Sequence, residues 1–359
     1  MQLPILDGHN DSLGRLYPYT EEQVQEFLKR HTDGHVDLPR AREGGLAGGF
    51  FAVFASANDP GTRVPFEVIR TPEGYEVPLA APLDPARASR VSIAMSAGLF
   101  RLEAASSGQI KIVRDVEELA RCLQTGVFAA IFHIEGADAI DPDLHALEVL
   151  HRAGLRSLGV VWSRPNIFGY GVPFRFPHSP DTGPGLTAEG RALVRACNRL
   201  GILVDVSHLN EKGFWDLAAI TSAPIVATHS SAHALCPVTR NLTDRQLDAI
   251  RESDGMVGVN FDVGFIREDG ENNADTPLSV IVRHVDYLVE RLGIDRVGFG
   301  SDFDGAKMPL ELGDAAGLPR LMAQLRQAGY DDASLRKLAY ENWLRVLEHT
   351  WRPEPHTGS

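Results

Sequence analysis

The 359-residue sequence is poor in cysteine, in uninterrupted apolar stretches and in net positive charge. Each shortage narrows the field. Its three cysteines, Cys122, Cys197 and Cys236, lie far apart, and none belongs to a CxxC. That argues against a disulfide-stapled scaffold and against a Cys₄ or Cys₂His₂ structural zinc site, and it predicts reduced thiols in a cytoplasm. No apolar run nears the ~20 residues that a membrane span needs. Residues 3–7 follow Met1 without a basic segment or an apolar leader, so a soluble protein without a signal peptide is expected. Lys and Arg number 35 against 48 Asp and Glu, a formal charge of −13. Such a field repels nucleic acid and anionic membranes, and neither is expected as a partner. There is no GxGxxG after the first strand-like run, no GxxxxGK[ST] and no GxSxG, which sets aside nucleotide loops and the serine nucleophile elbow.

What is present is ordinary globular material, 43% apolar and 23% charged. Short β-branched runs alternate with longer helical patterns. Strand-like runs fall at residues 3–7, 49–55, 127–134, 155–162, 203–206, 225–228, 256–261 and 297–300. Before the fifth run, Thr187 offers an N-cap, Leu193, Cys197 and Leu200 share a stripe, and Gly201 marks a helix end. Two further helices are predicted over residues 278–292 and 334–348. Eight such βα units predict a single (β/α)₈ TIM-barrel domain over residues 1–350, with a disordered tail at 351–359. Pro- and Gly-rich stretches at 56–85 and 163–185, and an acidic, mobile one at 267–277, read as long loops. All three follow strands, so they belong on the C-terminal face where barrel active sites form.

The polar residues cluster at strand ends. Asp7-Gly8-His9-Asn10-Asp11 closes the first run, and His9 and Asp11, two apart, can aim at one point. An isolated H-x-D also suits a turn or a cap. The third run ends in His133-Ile134-Glu135-Gly136, where Glu135 reads as a ligand and His133 as a packed or supporting group. The fifth and sixth runs end in Ser207-His208 and Thr228-His229. Two strand-end histidines on neighbouring strands, with carboxylates at earlier strand ends, are poorly explained by packing. Asp302 closes the eighth run as a candidate proton-shuttling acid or base, and Asp304, before Gly305, reads as a turn residue. Nitrogen and oxygen ligands around one bridging carboxylate are what a hydrolytic two-metal site requires.

In order along the chain, Asp7–Asp11, His35-Val36-Asp37-Leu38-Pro39-Arg40 with Glu43-Gly44-Gly45, Ile134-Glu135-Gly136, Asp205-Val206-Ser207-His208, Thr228-His229-Ser230-Ser231-Ala232, Arg240-Asn241 and Gly300-Ser301-Asp302-Phe303-Asp304-Gly305 resemble the membrane (renal) dipeptidase family, peptidase family M19. The resemblance covers nearly the whole chain. It implies an amidohydrolase-like barrel holding two divalent ions, zinc by family habit. His9 and Asp11 would serve one ion, His208 and His229 the other, and Glu135 would bridge them. It also implies that Arg240 holds a substrate carboxylate and that Asp302 passes a proton from the attacking water to the leaving amine. The implied reaction is hydrolysis of a dipeptide, or a similar small amide with a free carboxylate, by a hydroxide bridging the metals. A related amidohydrolase cutting another C–N bond, such as an N-acyl amino acid or a cyclic amide, and a non-catalytic metal-binding homologue are the alternatives. Where the family pattern places a histidine on the fourth strand, this chain has Trp162. An indole donates one hydrogen bond and takes no proton; Trp162 and Asn166 are expected to face the substrate, with Arg164 or another residue of the following loop compensating for the missing histidine. Animal members carry a leader, a lipid anchor and disulfides. None is read here, which points to a soluble bacterial-type relative, with a homodimer as the family precedent.

Overall fold

The computed structural model describes residues 3–60, 62 and 66–352. Eight parallel strands form the barrel: β1 (Ile5–Asn10), β2 (Leu46–Phe54), β3 (Phe128–Glu135), β4 (Ser157–Gly159), β5 (Leu203–Asp205), β6 (Val226–Ser230), β7 (Met256–Val259) and β8 (Val297–Phe299). Each pairs with its sequence neighbour, and β8 pairs back to β1 through Asp7 and Phe299, so the sheet closes as predicted. The longest ladder, β2 with β3, runs in register from Gly48–Ala129 to Phe54–Glu135. Along β3 the alternation is clean. Phe132 and Ile134 face the helices, while Ile131 lies in the barrel interior and His133 continues that face toward the top.

The bottom of the barrel is filled rather than hollow. Leu6, Phe50, Ile131, Leu203, Val226 and Met256 meet there around Trp343. The Trp343 indole enters from the C-terminal helix and donates from Nε1 to Phe299 O at 3.2 Å. Gly8 and Gly258 sit against its ring, where a Cβ would collide both with the indole and with the Thr228 carbonyl. Trp343 follows a π-turn over Lys337–Glu341, which breaks the predicted helix into Asp332–Arg336 and Asn342–Thr350.

The helices at Ala188–Leu200 and Leu278–Leu292 form where the apolar stripes place them, and Thr187 and Gly201 cap the first as expected. A longer helix, Pro85–Ala105, was not expected; its stripe of Val91, Met95, Leu99 and Leu102 is diluted by the small buried residues Ala88, Ser92, Ser96 and Gly98. A ninth parallel strand, Ile110–Ile112, lies beside the lower half of β3, below the point where β4 pairs. Two of the expected loops are partly strands. Ile69–Arg70, Tyr75–Val77 and Phe174–Phe176 make a small antiparallel sheet that ties the loop after β2 to the loop after β4. The acidic stretch at 267–277 is anchored to it by Arg70–Glu271 hydrogen bonds of 2.7 and 3.2 Å. Trp351, expected to begin the disordered tail, is buried and donates to Arg156 O at 3.0 Å. The rest of that expectation, residues 353–359, lies outside the described residues.

Candidate metal centre

The strand ends bring the predicted ligands to one place at the top of the barrel. On β1 the register against β2 slips by one residue between Asp7 and Asn10. The slip lets consecutive residues turn inward, Gly8 against Trp343 and His9 against two other histidines. His9 stacks on His229, with ring centroids 3.8 Å apart, and meets the edge of His133 at 5.5 Å. His208 and Asp302 both have left-handed backbone, at φ 66° and 62°. Non-glycine residues accept that conformation where the surroundings impose it, and functional sites are where it clusters.

Glu135 sits at the centre. Its Oε1 lies 3.0 Å from His208 Nε2 and 3.4 Å from His229 Nε2. Its Oε2 faces the other way, 3.8 Å from His9 Nε2. His9 Nε2 is in turn 3.4 Å from Asp11 Oδ2. His9, Glu135 and His229 offer ligand atoms within 4.8 Å of one another, and so do His9, Asp11 and Asp302. Asp302 Oδ2 accepts from Asn260 Nδ2 at 2.9 Å.

The electrostatics call for a cation. His9, Glu135, His208, His229 and Asp302 are all buried, where unpaired charge is costly. Burial raises the Glu135 and Asp302 carboxyls above their ordinary range. It pushes His208 and His229 well below theirs, with help from Arg240 and His9. Burial also opposes a charge on His9, but Glu135 and Asp11 outweigh it and drive that imidazole up to about 10. Among the described residues neither His9 ring nitrogen has a hydrogen-bond partner, and the Nε2 atoms of His208 and His229 face each other at 3.3 Å. Imidazole nitrogens and carboxylate oxygens converging in this way fit divalent cations.

Around the ligands the structure adds groups that the sequence did not single out. His208 Nδ1 meets Ser163 Oγ at 2.9 Å, and His229 Nδ1 meets Thr228 Oγ1 at 2.8 Å. His133, read as a supporting group, is neutral in a site whose burial lowers it to about 3, and it bonds Ser157 Oγ at 2.9 Å. Asn260 lies just past β7, a strand end from which, as from β2, no site residue was expected. A polar residue closing an apolar strand was the available signal. Asp304 is a turn residue as read, and it holds Ser12 Oγ at 2.8 Å and the backbone N–H of His35 at 2.6 Å.

Arg240 is buried on the rim beside this cluster. Nη1 donates to Ser230 Oγ at 3.0 Å and Nη2 to His229 O at 2.9 Å, while Nε has no partner among the described residues. Its guanidinium stands 5.9 Å from the Phe265 ring centre. Trp162 lies on the His208 side, 5.9 Å between ring centroids, in an aromatic wall with Phe54, Phe66 and Phe174. Arg164 supports that wall from behind, 5.0 Å from the Trp162 ring and 5.1 Å from Phe54, with Nη2 on Ala55 O at 2.6 Å. Asn166 is not brought to the cluster. Its amide donates to Val160 O and accepts from the Phe168 and Gly169 N–H groups, so the side chain shapes its own loop.

Known proteins resemble this chain along nearly its whole length. The family model for membrane dipeptidase, peptidase family M19, matches residues 1–354. A solved metallopeptidase of Rhodobacter sphaeroides, liganded with a phosphinate mimic of the dipeptide L-Ala-D-Ala, superimposes with a TM-score of 0.91 at 48% identity, covering 98% of this chain and all of that one. A solved dipeptidase described as an M19 metallopeptidase gives 0.92 at 50% identity, covering 98% and 99%. An uncharacterised Klebsiella pneumoniae protein encoded in the pqqA 5′ region is 52% identical over 254 residues, 71% of this chain and 94% of that protein.

Proposed function

Because the chain belongs to the membrane dipeptidase family, peptidase family M19, and is a metallo-dipeptidase, we propose that it hydrolyses dipeptides with a free terminal carboxylate and uses two zinc ions to do so. One observation carries the two-ion reading: the two oxygens of Glu135 point at separate nitrogen sets, Oε1 at His208 and His229 and Oε2 at His9. His9 with Asp11 would hold one ion, His208 with His229 the other, and Glu135 would serve both. When bound, such ions supply Lewis acidity for the scissile carbonyl and lower the pKa of a water.

The protein's own groups supply position and proton transfer. Arg240, pre-held by Ser230 and the His229 carbonyl, presents its unpaired Nε edge to the substrate carboxylate. Asn260 fixes Asp302 by its Oδ2 and leaves Oδ1 to take the proton of the attacking water and pass it to the leaving amine. Burial raises the Asp302 carboxyl above its ordinary range, which makes its carboxylate a stronger base for taking that proton. The wall of Trp162, Phe174 and Phe66 shields the His208 side from solvent.

No helix among the described residues is long and apolar enough to cross a membrane. Cys122, Cys197 and Cys236 are buried and unbridged, which suits the reducing cytoplasm that we assign as its compartment. We also assign a homodimer, on family precedent, and light scattering on the purified chain tests it. The function itself is tested by metal analysis and turnover together. Two metals per chain, hydrolysis of Ala-Ala, loss of that activity in chelator and its return with Zn²⁺ are expected. Undiminished turnover by fully stripped protein would refute the reading.

A further inference from the structure

We propose that Thr228 and Asp205 are positioning residues that fix the tautomer of His229, holding its ring proton on Nδ1 so that the Nε2 lone pair faces Glu135 and His208. The inference rests on the reading of His229 as a metal ligand. It follows from counting hydrogens. Asp205 Oδ1 accepts two backbone N–H groups, from Ser207 at 2.9 Å and from Thr228 at 2.8 Å. Its Oδ2 meets Thr228 Oγ1 at 2.5 Å. A carboxylate has no hydrogen to give, so the single hydroxyl hydrogen of Thr228 is directed at Asp205. Thr228 Oγ1 also touches His229 Nδ1 at 2.8 Å, and with its own hydrogen spent it can only accept there. His229 Nδ1 must then carry the proton. Its Nε2 is left as a lone pair, 3.4 Å from Glu135 Oε1 and 3.3 Å from His208 Nε2. Asp205 is itself 3.9 Å from His229 Nδ1, so it acts through the hydroxyl and not directly. Every member of the chain is buried, which leaves no bulk water to scramble the order.

The relay makes an unusual ranking of variants. Thr228→Ser keeps the hydroxyl and should bind metal as the parent does. Thr228→Val keeps the shape, removes the acceptor and frees the imidazole to take either tautomer. Asp205→Asn should be worse than valine. Two backbone N–H groups require the amide oxygen on their side, so Nδ2 must face Thr228 and donate to it. The Thr228 hydroxyl then turns its hydrogen toward His229 Nδ1 and drives the proton to Nε2, the nitrogen that has to bind.

The test is a zinc titration of the chelator-stripped full-length chain against a chromophoric competing chelator, with thermal midpoints of the stripped proteins as a check on folding. The expected loss of affinity at one of the two sites is about 10- to 100-fold for Thr228→Val, larger for Asp205→Asn and negligible for Thr228→Ser. Thr228→Ala replaces the valine variant if that one does not fold. Zinc affinity unchanged in the valine or alanine variant overturns the relay, as does an asparagine variant that binds better than valine. If the parent protein takes up no zinc, the ligand assignment of His229 falls with it. Normal uptake by the parent, with variants that match it, overturns the relay alone.

Discussion

The most exposed consequence of the proposed function concerns Arg240. Two of its five N–H groups are committed to Ser230 Oγ and the His229 carbonyl, which leaves the Nε–H and one hydrogen on each terminal nitrogen for a ligand. A carboxylate seated on that edge would accept two charge-assisted bonds of about 1.5–3 kcal/mol each. Removing them with Arg240→Met should cost about 3–6 kcal/mol of transition-state stabilisation, or roughly 10²- to 10⁴-fold in kcat/KM. The carboxylate is remote from the bond that breaks and is bound before and during the reaction. The loss should therefore fall mainly on KM. Arg240→Lys keeps the charge but not the fork, and should recover only part of the loss.

The assay is a cycle over two enzymes and two substrates, Ala-Ala and its C-terminal amide. The parent should prefer the free acid by a factor close to the one lost in Arg240→Met, and the variant should treat the two substrates nearly alike. Because Arg240 also holds the His229 carbonyl, metal content is measured alongside and should be unchanged. A parent enzyme indifferent to amidation would refute the assignment of Arg240. So would a variant that loses the same factor on acid and amide, since its defect would then be a disturbed metal centre.

Glu135→Gln keeps the side-chain volume but has one oxygen where two are needed. Metal content should fall below two per chain and activity by more than ~100-fold, since even an outer partner of a ligand is worth 10- to 100-fold; an active variant with two metals would contradict the bridging role. His284 is buried, accepting from Ala232 N–H and donating to Ile266 O, and burial depresses it from 6.5 to about 4. Its contribution is complete above pH 6.5 and is lost as the pH falls toward 4, by roughly 3 kcal/mol; His284→Gln should flatten the urea midpoint over that range, and an unchanged slope would count against this. Trp343→Ala empties the floor of the barrel and should destabilise by about 3–5 kcal/mol, and a urea midpoint equal to the parent's would show that the indole is not holding the interior.

How much of this was legible in the sequence depends on the range of the interaction. A barrel strand carries its function at its C-terminal end, so His9, Glu135, His208 and His229 could be read as a set from one strand boundary at a time. Each boundary is a local signal: a β-branched run that stops at a polar residue. The same locality explains the failures. In helix Pro85–Ala105 small buried residues dilute the apolar period of Val91, Met95, Leu99 and Leu102, and the strand Ile110–Ile112 is only three residues long. The antiparallel sheet over the rim joins segments about a hundred residues apart, and nothing near Tyr75 announces Phe176. Asn166 was expected to face the substrate because it follows Trp162, yet an Asn before a turn satisfies itself on nearby backbone first, and here it does so. The positioning groups are hidden for a stricter reason. Asp205 and Thr228 stand in the strand-end motifs of His208 and His229, but nothing in the sequence pairs them across 23 positions until folding sets one carboxylate against one hydroxyl. A ligand is named by its element and its residue type. What prepares the ligand to bind is a count of hydrogens between neighbouring strands, and that count exists only after the barrel closes.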